Sequence, residues 1–337
     1  MPKKKVFITG EGGNIGTALI ELYRSDPAYL VINDLKECDE LARFNKSTMP
    51  LVFNHRYKDE IHMLGDYGKT KLTQIFEKYP PTIIMHTAAA VGTDKCEREH
   101  DGAYYANVEI IRDLADVLRV SNCHNTTFVN FSTTATMDPA AYGMSNGINE
   151  LTPRSPKTWY GATKYMGEMV TKFSFKNWIN LLPVFLFSTF PSDTSSIWAK
   201  VFVSSNNGIK YDIKLNPEIY KQYEYVTNMT NVLKRIAENK ENNGKDIVIC
   251  GQDQQPFGYF LEEAQKAYLA KFKTELLFKL NPKEDYLKNH ITSKIAFNNM
   301  LQCAGMTEEE FNAGRKTFTQ AIQEVAESVP LDAKLRV

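Results

Sequence analysis

Val6–Gly16 reads VFITGEGGNIG. A short run of apolar and β-branched residues stops at a glycine, as expected for a buried parallel strand. Gly10, Gly13 and Gly16 follow at GxxGxxG spacing, and Ile15–Tyr23 carries apolar residues at helical spacing. A strand that turns directly into a helix through glycines suits the pyrophosphate of a dinucleotide. No Cβ keeps the phosphates away from the backbone. The first helical turn offers unpaired N–H groups and a partial positive charge. A glycine-rich turn without a ligand reads the same way, so the context has to decide.

Working outward, a second apolar run at Tyr29–Ile32 ends at Asn33-Asp34, and Asp34 stands 18 residues beyond Gly16. A carboxylate at the end of the second strand accepts hydrogen bonds from the adenosine ribose hydroxyls and repels a 2′-phosphate. This favours NAD, with Lys36 keeping NADP as the alternative. An Asp that merely caps a helix is the bland account of Asp34.

Strand-like runs continue at Thr82–Met85, Thr126–Phe131 and Asn180–Phe187, with helical stretches between them. Such alternation predicts an α/β protein with a doubly wound, Rossmann-type parallel sheet covered on both faces. Past Pro191 the alternation weakens. The segment YEYVTNM, a helix near Asn231–Glu241 and a strand at Asp246–Cys250 follow, and the remainder is mostly helical. The expected division is a dinucleotide-binding domain over 1–183, with return segments near 223–251. A smaller, mostly helical substrate-binding lobe would comprise 184–222 and 252–337.

The 337 residues hold 40 basic and 40 acidic side chains, and 43% are hydrophobic. That apolar content supports a full core and excludes a disordered chain. The neutral balance excludes the basic stripe of a nucleic-acid binder and the cationic surface that seeks anionic lipids. No apolar window reaches the length of a membrane span, and MPKKKVFITG has no apolar stretch of signal length. Five cysteines, odd in number and without a CxxC pair, read as free thiols. The six histidines are scattered, so no metal site is expected. These features predict a soluble cytoplasmic protein.

Trp159–Lys164 reads WYGATK. Tyr160 and Lys164 are four apart and share a helix face. An ammonium beside a phenol favours the phenolate and makes tyrosine a usable base near neutral pH. YxxxK also arises by chance on solvated helices. Upstream, Asn130–Thr134 reads NFSTT at the end of a predicted strand, where a hydroxyl could meet the same substrate oxygen.

Taken in order, TGEGGNIG, Asp34, Gly65-Asp66, HTAAAVG, Asn107-Val108, FSTTAT, ELTPRSP and YGATK resemble the extended short-chain dehydrogenase/reductase family, the NAD-dependent epimerase/dehydratase group. The resemblance runs from Val6 to about Gly251. It implies that Gly10, Gly13, Asn14, Ile15 and Gly16 hold the pyrophosphate of NAD and Asp34 its ribose. Asp66 and Tyr67 would flank adenine, and Ala88, Ala89 and Ala90 would lie along the cofactor. Asn107 and Pro183 would complete the dinucleotide site. Thr134 would be the catalytic hydroxyl, with Ser132 and Thr133 as neighbours. Tyr160 would be the acid or base, and Lys164 would bind the nicotinamide ribose. The implied substrate is a nucleoside-diphosphate sugar, and family members often form homodimers.

Departures from the pattern bear on the reaction. Phe185, within LPVFLFSTFP, stands where the family has a substrate-contacting asparagine. Lys221 replaces an arginine that grips the diphosphate, which keeps the charge and loses the fork. Thr227 and Asn228 replace two acids. Ala135 and Thr136 stand where 4,6-dehydratases carry an Asp-Glu pair, which argues against dehydration. Val91–Glu97, VGTDKCE, resembles the deoxysugar 4-keto reductases. The first expectation is an NAD-dependent nucleotide-sugar epimerase. The alternative is a net 4-keto sugar reductase or hydroxy-metabolite dehydrogenase, and a non-catalytic NAD-binding regulator stands third. His86 reads as a packed or cofactor-adjacent side chain and not a catalyst, the aromatics Tyr220, Tyr223 and Tyr225 read as structural, and Trp198 and Phe202 read as core packing with the lining of a sugar pocket as the alternative. Met306–Val325 reads as one helix capped by Thr307.

Overall fold

The computed structural model describes residues 3–38, 66–138, 147–189, 196–282 and 291–333. Its centre is a six-stranded parallel sheet formed by β1 (Lys4–Thr9), β2 (Tyr29–Val31), β3 (Ile83–His86), β4 (Thr127–Phe131), β5 (Asn177–Pro183) and β6 (Lys245–Ile249), in the order β6-β5-β4-β3-β1-β2. The apolar continuity of β1 has a direct cause. Val6 and Ile8 face one core and Phe7 the other, all at most 1% exposed, because helices cover both sheet faces.

On one face lie α1 (Asn14–Ser25) and, from later in the chain, Val226–Glu238. On the other lie α2 (Asp66–Lys78), part of the segment that includes α3 (Thr93–Arg98) and α4 (His100–Tyr104), and α5 (Ile110–Val120). The helix α6 (Trp159–Ser174) follows the fourth strand. The chain leaves β1 toward β2 and then crosses to β3 on the other side of β1. Thr9 is paired in register with His86 across that reversal. This is a topological switch point, where an open α/β sheet has its crevice at the carboxyl ends of the strands.

A second core collects around Trp198 and Phe202, both 0% exposed, with Phe257, Phe260 and Phe318. It joins α7 (Ile197–Asn206), α9 (Phe257–Phe272) and the C-terminal helix Phe318–Ser328, while α8 (Val226–Glu238) belongs to the sheet. Three short strand pairs lie outside the main sheet. Phe185–Phe187 runs parallel to Tyr223–Tyr225, Tyr220–Lys221 antiparallel to Gln255–Pro256, and Tyr211–Ile213 parallel to Phe278–Leu280.

Three expectations need correction. The run expected as one strand at 180–187 is two, separated at Val184, so Phe185 leaves the main sheet. The segment 252–337 is not wholly lobe: α10 (Lys294–Ala304) buries Ala296, Phe297, Met300 and Leu301 in the sheet's own core. Met306–Val325 is not one helix. Thr307 and Glu310 form a capping box that opens α11 (Glu308–Asn312), and a second box at Thr317 and Gln320 opens α12 (Phe318–Ser328). No helix among the described residues is long and apolar enough to cross a membrane.

Candidate active site

The glycine turn is closed to side chains. Gly10 sits at φ +68°, and a Cβ there would lie 2.7 Å from the Ala88 nitrogen. A Cβ on Gly16 would lie 2.1 Å from the Gly10 carbonyl oxygen. β1, α1 and the Ala88 backbone therefore meet at a distance that only glycine permits. Gly13 is the N-cap of α1. The first turn has no side-chain cap and no acidic residue, so its N–H groups face outward unneutralised. Asn14 donates from Nδ2 to the Leu186 carbonyl at 3.3 Å, while its buried Oδ1 has no partner among the described residues. A bare helix start, an orphaned acceptor and a cradle without Cβ atoms fit a dinucleotide pyrophosphate. Ile15 packs half-buried against the sheet core beside it.

The run after β3 is held in place by polar contacts. Thr9 Oγ1 accepts from the Ala88 N–H at 3.2 Å and pairs with His86 Nδ1 at 2.8 Å. His86 stacks on Phe128, and burial pushes its imidazole down to about 3, so it stays neutral. Its ring is packed in the core, one of the two places expected for it. Ala88 is buried and Ala89 half-buried. Asn107 does not stand free. Its Oδ1 accepts from the Ala90 N–H at 2.9 Å, and its Nδ2 donates to the Ala90 carbonyl at 3.2 Å and to Thr163 Oγ1 at 3.0 Å. The π-helical turn Tyr105–Glu109 aims it there, pinning the alanine run to α6.

Asp34 lies in a 3₁₀ turn just past β2 and is not a lone acceptor. Arg24, in the last turn of α1, donates from Nε to both carboxylate oxygens at 3.1 and 3.0 Å. Asn33 accepts from the Ile8 N–H at 2.9 Å and donates to the Ile8 carbonyl at 2.7 Å and to Glu11 Oε2 at 2.9 Å. Sequence reasoning missed Arg24, Asn33 and Glu11. Asp66 and Tyr67 open α2, but their side chains lie outside the described residues.

Tyr160 enters α6 one residue after its start, with Thr158 as N-cap accepting from the Gly161 N–H. The Thr133 hydroxyl lies beside its phenol and favours the ionised form. Thr134, buried in the adjoining 3₁₀ turn, directs Oγ1 to the Pro183 carbonyl at 3.4 Å. Lys164 is 3% exposed and donates to the Phe131 carbonyl at the end of β4. The expected electrostatics do not hold in this state. Burial pushes the phenol up to about 12, Thr133 pulls the other way, and Lys164 is not among the groups that move it. Burial also pushes the Lys164 ammonium down to about 8. At each group desolvation outweighs the favourable contact, Thr133 for the phenol and Glu168 for the ammonium.

On the lobe side, Phe185 is partly exposed and packs against Tyr223, with ring centroids 5.4 Å apart. Lys221 is 5% exposed. Its ammonium lies 5.1 Å from the Phe185 ring centre and has no hydrogen-bond or ion-pair partner among the described residues. Burial pushes it down to about 8. A desolvated cation resting on an aromatic face is available to an anion. Among the described residues no group of His, Cys, Asp and Glu could hold a metal.

Comparison with known proteins agrees with the fold. Over 96–97% of its length the chain superposes on RMD from Pseudomonas aeruginosa complexed with NADPH (TM-score 0.70, 12% identity) and on UDP-glucuronic acid 4-epimerase from Bacillus cereus in complex with UDP-glucuronic acid and NAD (TM-score 0.71, 15% identity), in each case covering 98% of the known chain. It also matches dTDP-4-dehydrorhamnose reductase from Bacillus anthracis in complex with NADP (TM-score 0.66, 18% identity), over 96% of this chain and 98% of that one. Among curated proteins it is 25% identical over 181 residues to the spore coat polysaccharide biosynthesis protein SpsK of Bacillus subtilis, covering 51% of this chain. The chain spans about half the length of that relative, 50%. The family model described as the RmlD substrate binding domain matches residues 4–193, and the chain thus belongs to the RmlD substrate binding domain family.

Proposed function

We propose that the protein is a nicotinamide-dinucleotide-dependent reductase of a keto sugar carried on a nucleoside diphosphate. The observation that carries this reading is the Tyr160 phenol set beside the Thr133 hydroxyl, one helical turn from buried Lys164, with burial pushing it up to about 12. Reducing a carbonyl requires a proton for the oxygen as it becomes an alkoxide, and a protonated phenol is the donor. The reduced nicotinamide, when bound, supplies the hydride. Tyr160 gives its proton to the substrate oxygen, the Thr133 and Thr134 hydroxyls orient that oxygen, and Lys164 holds the nicotinamide ribose. Lys221 takes the diphosphate, with Phe185 as a wall of the pocket. Membership of the RmlD family supports a reductase, and Ala135 and Thr136 offer no carboxylate for elimination.

The epimerase expected first from the sequence would use the same tyrosine but must keep its dinucleotide between two half-reactions. Denaturing the purified protein and identifying the released dinucleotide by mass spectrometry separates the two. A protein that arrives empty and binds added reduced dinucleotide supports the reductase. Near-stoichiometric retained NAD supports the epimerase.

For the dinucleotide itself the reading is NAD, because Asp34 and Glu11 bring two carboxylates to the ribose end against one arginine, Arg24. Replacing Asp34 by Ala removes an acceptor from the ribose and releases Arg24 toward a 2′-phosphate. NAD should bind about tenfold more weakly and NADP more tightly, as read by fluorescence titration of the reduced forms. Unchanged affinities for both would remove Asp34 from the ribose site.

A further inference from the structure

Behind the Tyr160–Lys164 face, α6 buries a carboxylate that the reaction above does not use. Glu168 lies one turn past Lys164 and is 0% exposed. Its Oε1 accepts from the Ser132 hydroxyl, and its Oε2 accepts from Arg154 Nε at 2.8 Å. Arg154 continues through Nη2 to Asp246 Oδ2 on β6 at 3.0 Å. Asp246 also accepts from Lys172 Nζ at 2.7 Å and from Asn180 Nδ2 at 3.0 Å, and Asn130 donates to Asn180 at 2.9 Å. The network thus runs from an edge strand, past β5 and β4, to the helix that carries Tyr160. Burying ions costs several kcal/mol each unless the pairing is close to complete, and an apolar core is often as stable. Here the chain of charge ends at the reacting pair.

We propose that Glu168, clamped by Arg154 and Ser132, is a positioning residue that keeps Lys164 in its ammonium form and seated at the Phe131 carbonyl. The inference rests on Tyr160 and Lys164 being the reacting pair. The titratable groups facing Lys164 are Glu168 on its own helix, Cys96 on α3 and His86 on β3. His86 is neutral, and burial pushes the Cys96 thiol up. Glu168 is therefore the counter-charge that opposes the desolvation of Lys164. Around Glu168 itself, burial favours the acid, while Arg154 and the Ser132 bond favour the carboxylate and Asp246 opposes them. Burial is the largest of these, so the Glu168 carboxyl lies above its ordinary range, and the guanidinium that bridges Glu168 and Asp246 is the contact that most favours its carboxylate.

The test follows the Lys164 side chain by NMR of ε-¹³C lysine in the full-length protein. In the wild type it should titrate near 8. In Glu168→Gln the titration should fall by about one pH unit, and affinity for added reduced dinucleotide should be lost at correspondingly lower pH. Glu168→Asp, which keeps the charge, should restore part of both. A folded Glu168→Gln protein with an unchanged Lys164 titration would overturn the proposal. Should that variant not fold, the wild-type Glu168 Cδ resonance decides: a carboxylate at neutral pH supports the proposal, and a protonated acid overturns it. Neither readout uses a sugar substrate, so a negative result here leaves the reductase reading standing, and a failed reductase assay leaves this result standing.

Discussion

Replacing Tyr160 by Phe is expected to lower turnover by about 10²- to 10⁴-fold, the usual contribution of a positioned acid–base group. The ring that packs at the start of α6 remains, so the fold and the dinucleotide cradle should survive. What is lost is the phenol that lies beside Thr133 and stands one helical turn from Lys164. Dinucleotide titration of the variant should match the wild type, and steady-state kinetics should show the loss in kcat. A Tyr160→Phe variant that kept full turnover would remove tyrosine from the chemistry and leave Thr134 or an unassigned group as the donor. Changing Thr133 to Val should have the same direction and a smaller size, because it removes an orienting hydroxyl and leaves the proton in place.

The second large effect is structural and acts through binding. Gly16→Ala would put a methyl group 2.1 Å from the Gly10 carbonyl and 2.9 Å from Thr87 Oγ1. Thr87 is itself anchored, donating to the Thr9 carbonyl at 2.6 Å. Neither neighbour is the far end of a flexible side chain, so α1 must move off β1. Overpacking of this kind costs about 3 kcal/mol, toward the upper end for a core. The helix start then no longer faces the crevice. The expected result is a lowered Tm in thermal unfolding together with lost affinity for reduced dinucleotide. An alanine variant with unchanged Tm and unchanged affinity would show that the turn is not the cradle.

How much of this is legible in the residues depends on distance along the chain. The Gly10–Gly16 turn, the parallel strands and the Tyr160–Lys164 spacing are local patterns, and periodicity and glycine placement report local backbone geometry. Arg24 and Asp34 are 10 residues apart, yet they meet only because the end of α1 returns beside β2. Glu168 and Arg154 are separated by 14 residues, and Arg154 and Asp246 by 92, so only the folded sheet brings them together. Thr133 and Thr134 are neighbours in sequence, and the 3₁₀ turn decides which hydroxyl meets the phenol. Spacing alone misreads the sign of the Tyr160 shift for a related reason. It shows which charges are near, whereas burial sets the cost of forming them, and here burial is the larger effect. Chain order places α10 with the lobe, because its segment follows the lobe's. Its apolar face shows where it packs only once β6 and α8 are in place.

The most direct test of the account is the fate of a labelled hydride. The protein is incubated with a 4-keto nucleotide sugar and reduced dinucleotide carrying deuterium at nicotinamide C4, and the sugar is analysed by NMR and mass spectrometry. The account predicts that the dinucleotide is oxidised in step with substrate, that deuterium appears on the former carbonyl carbon, and that both are lost in Tyr160→Phe. Deuterium that never reaches the sugar, or a sugar inverted with no net oxidation of the dinucleotide, would contradict it.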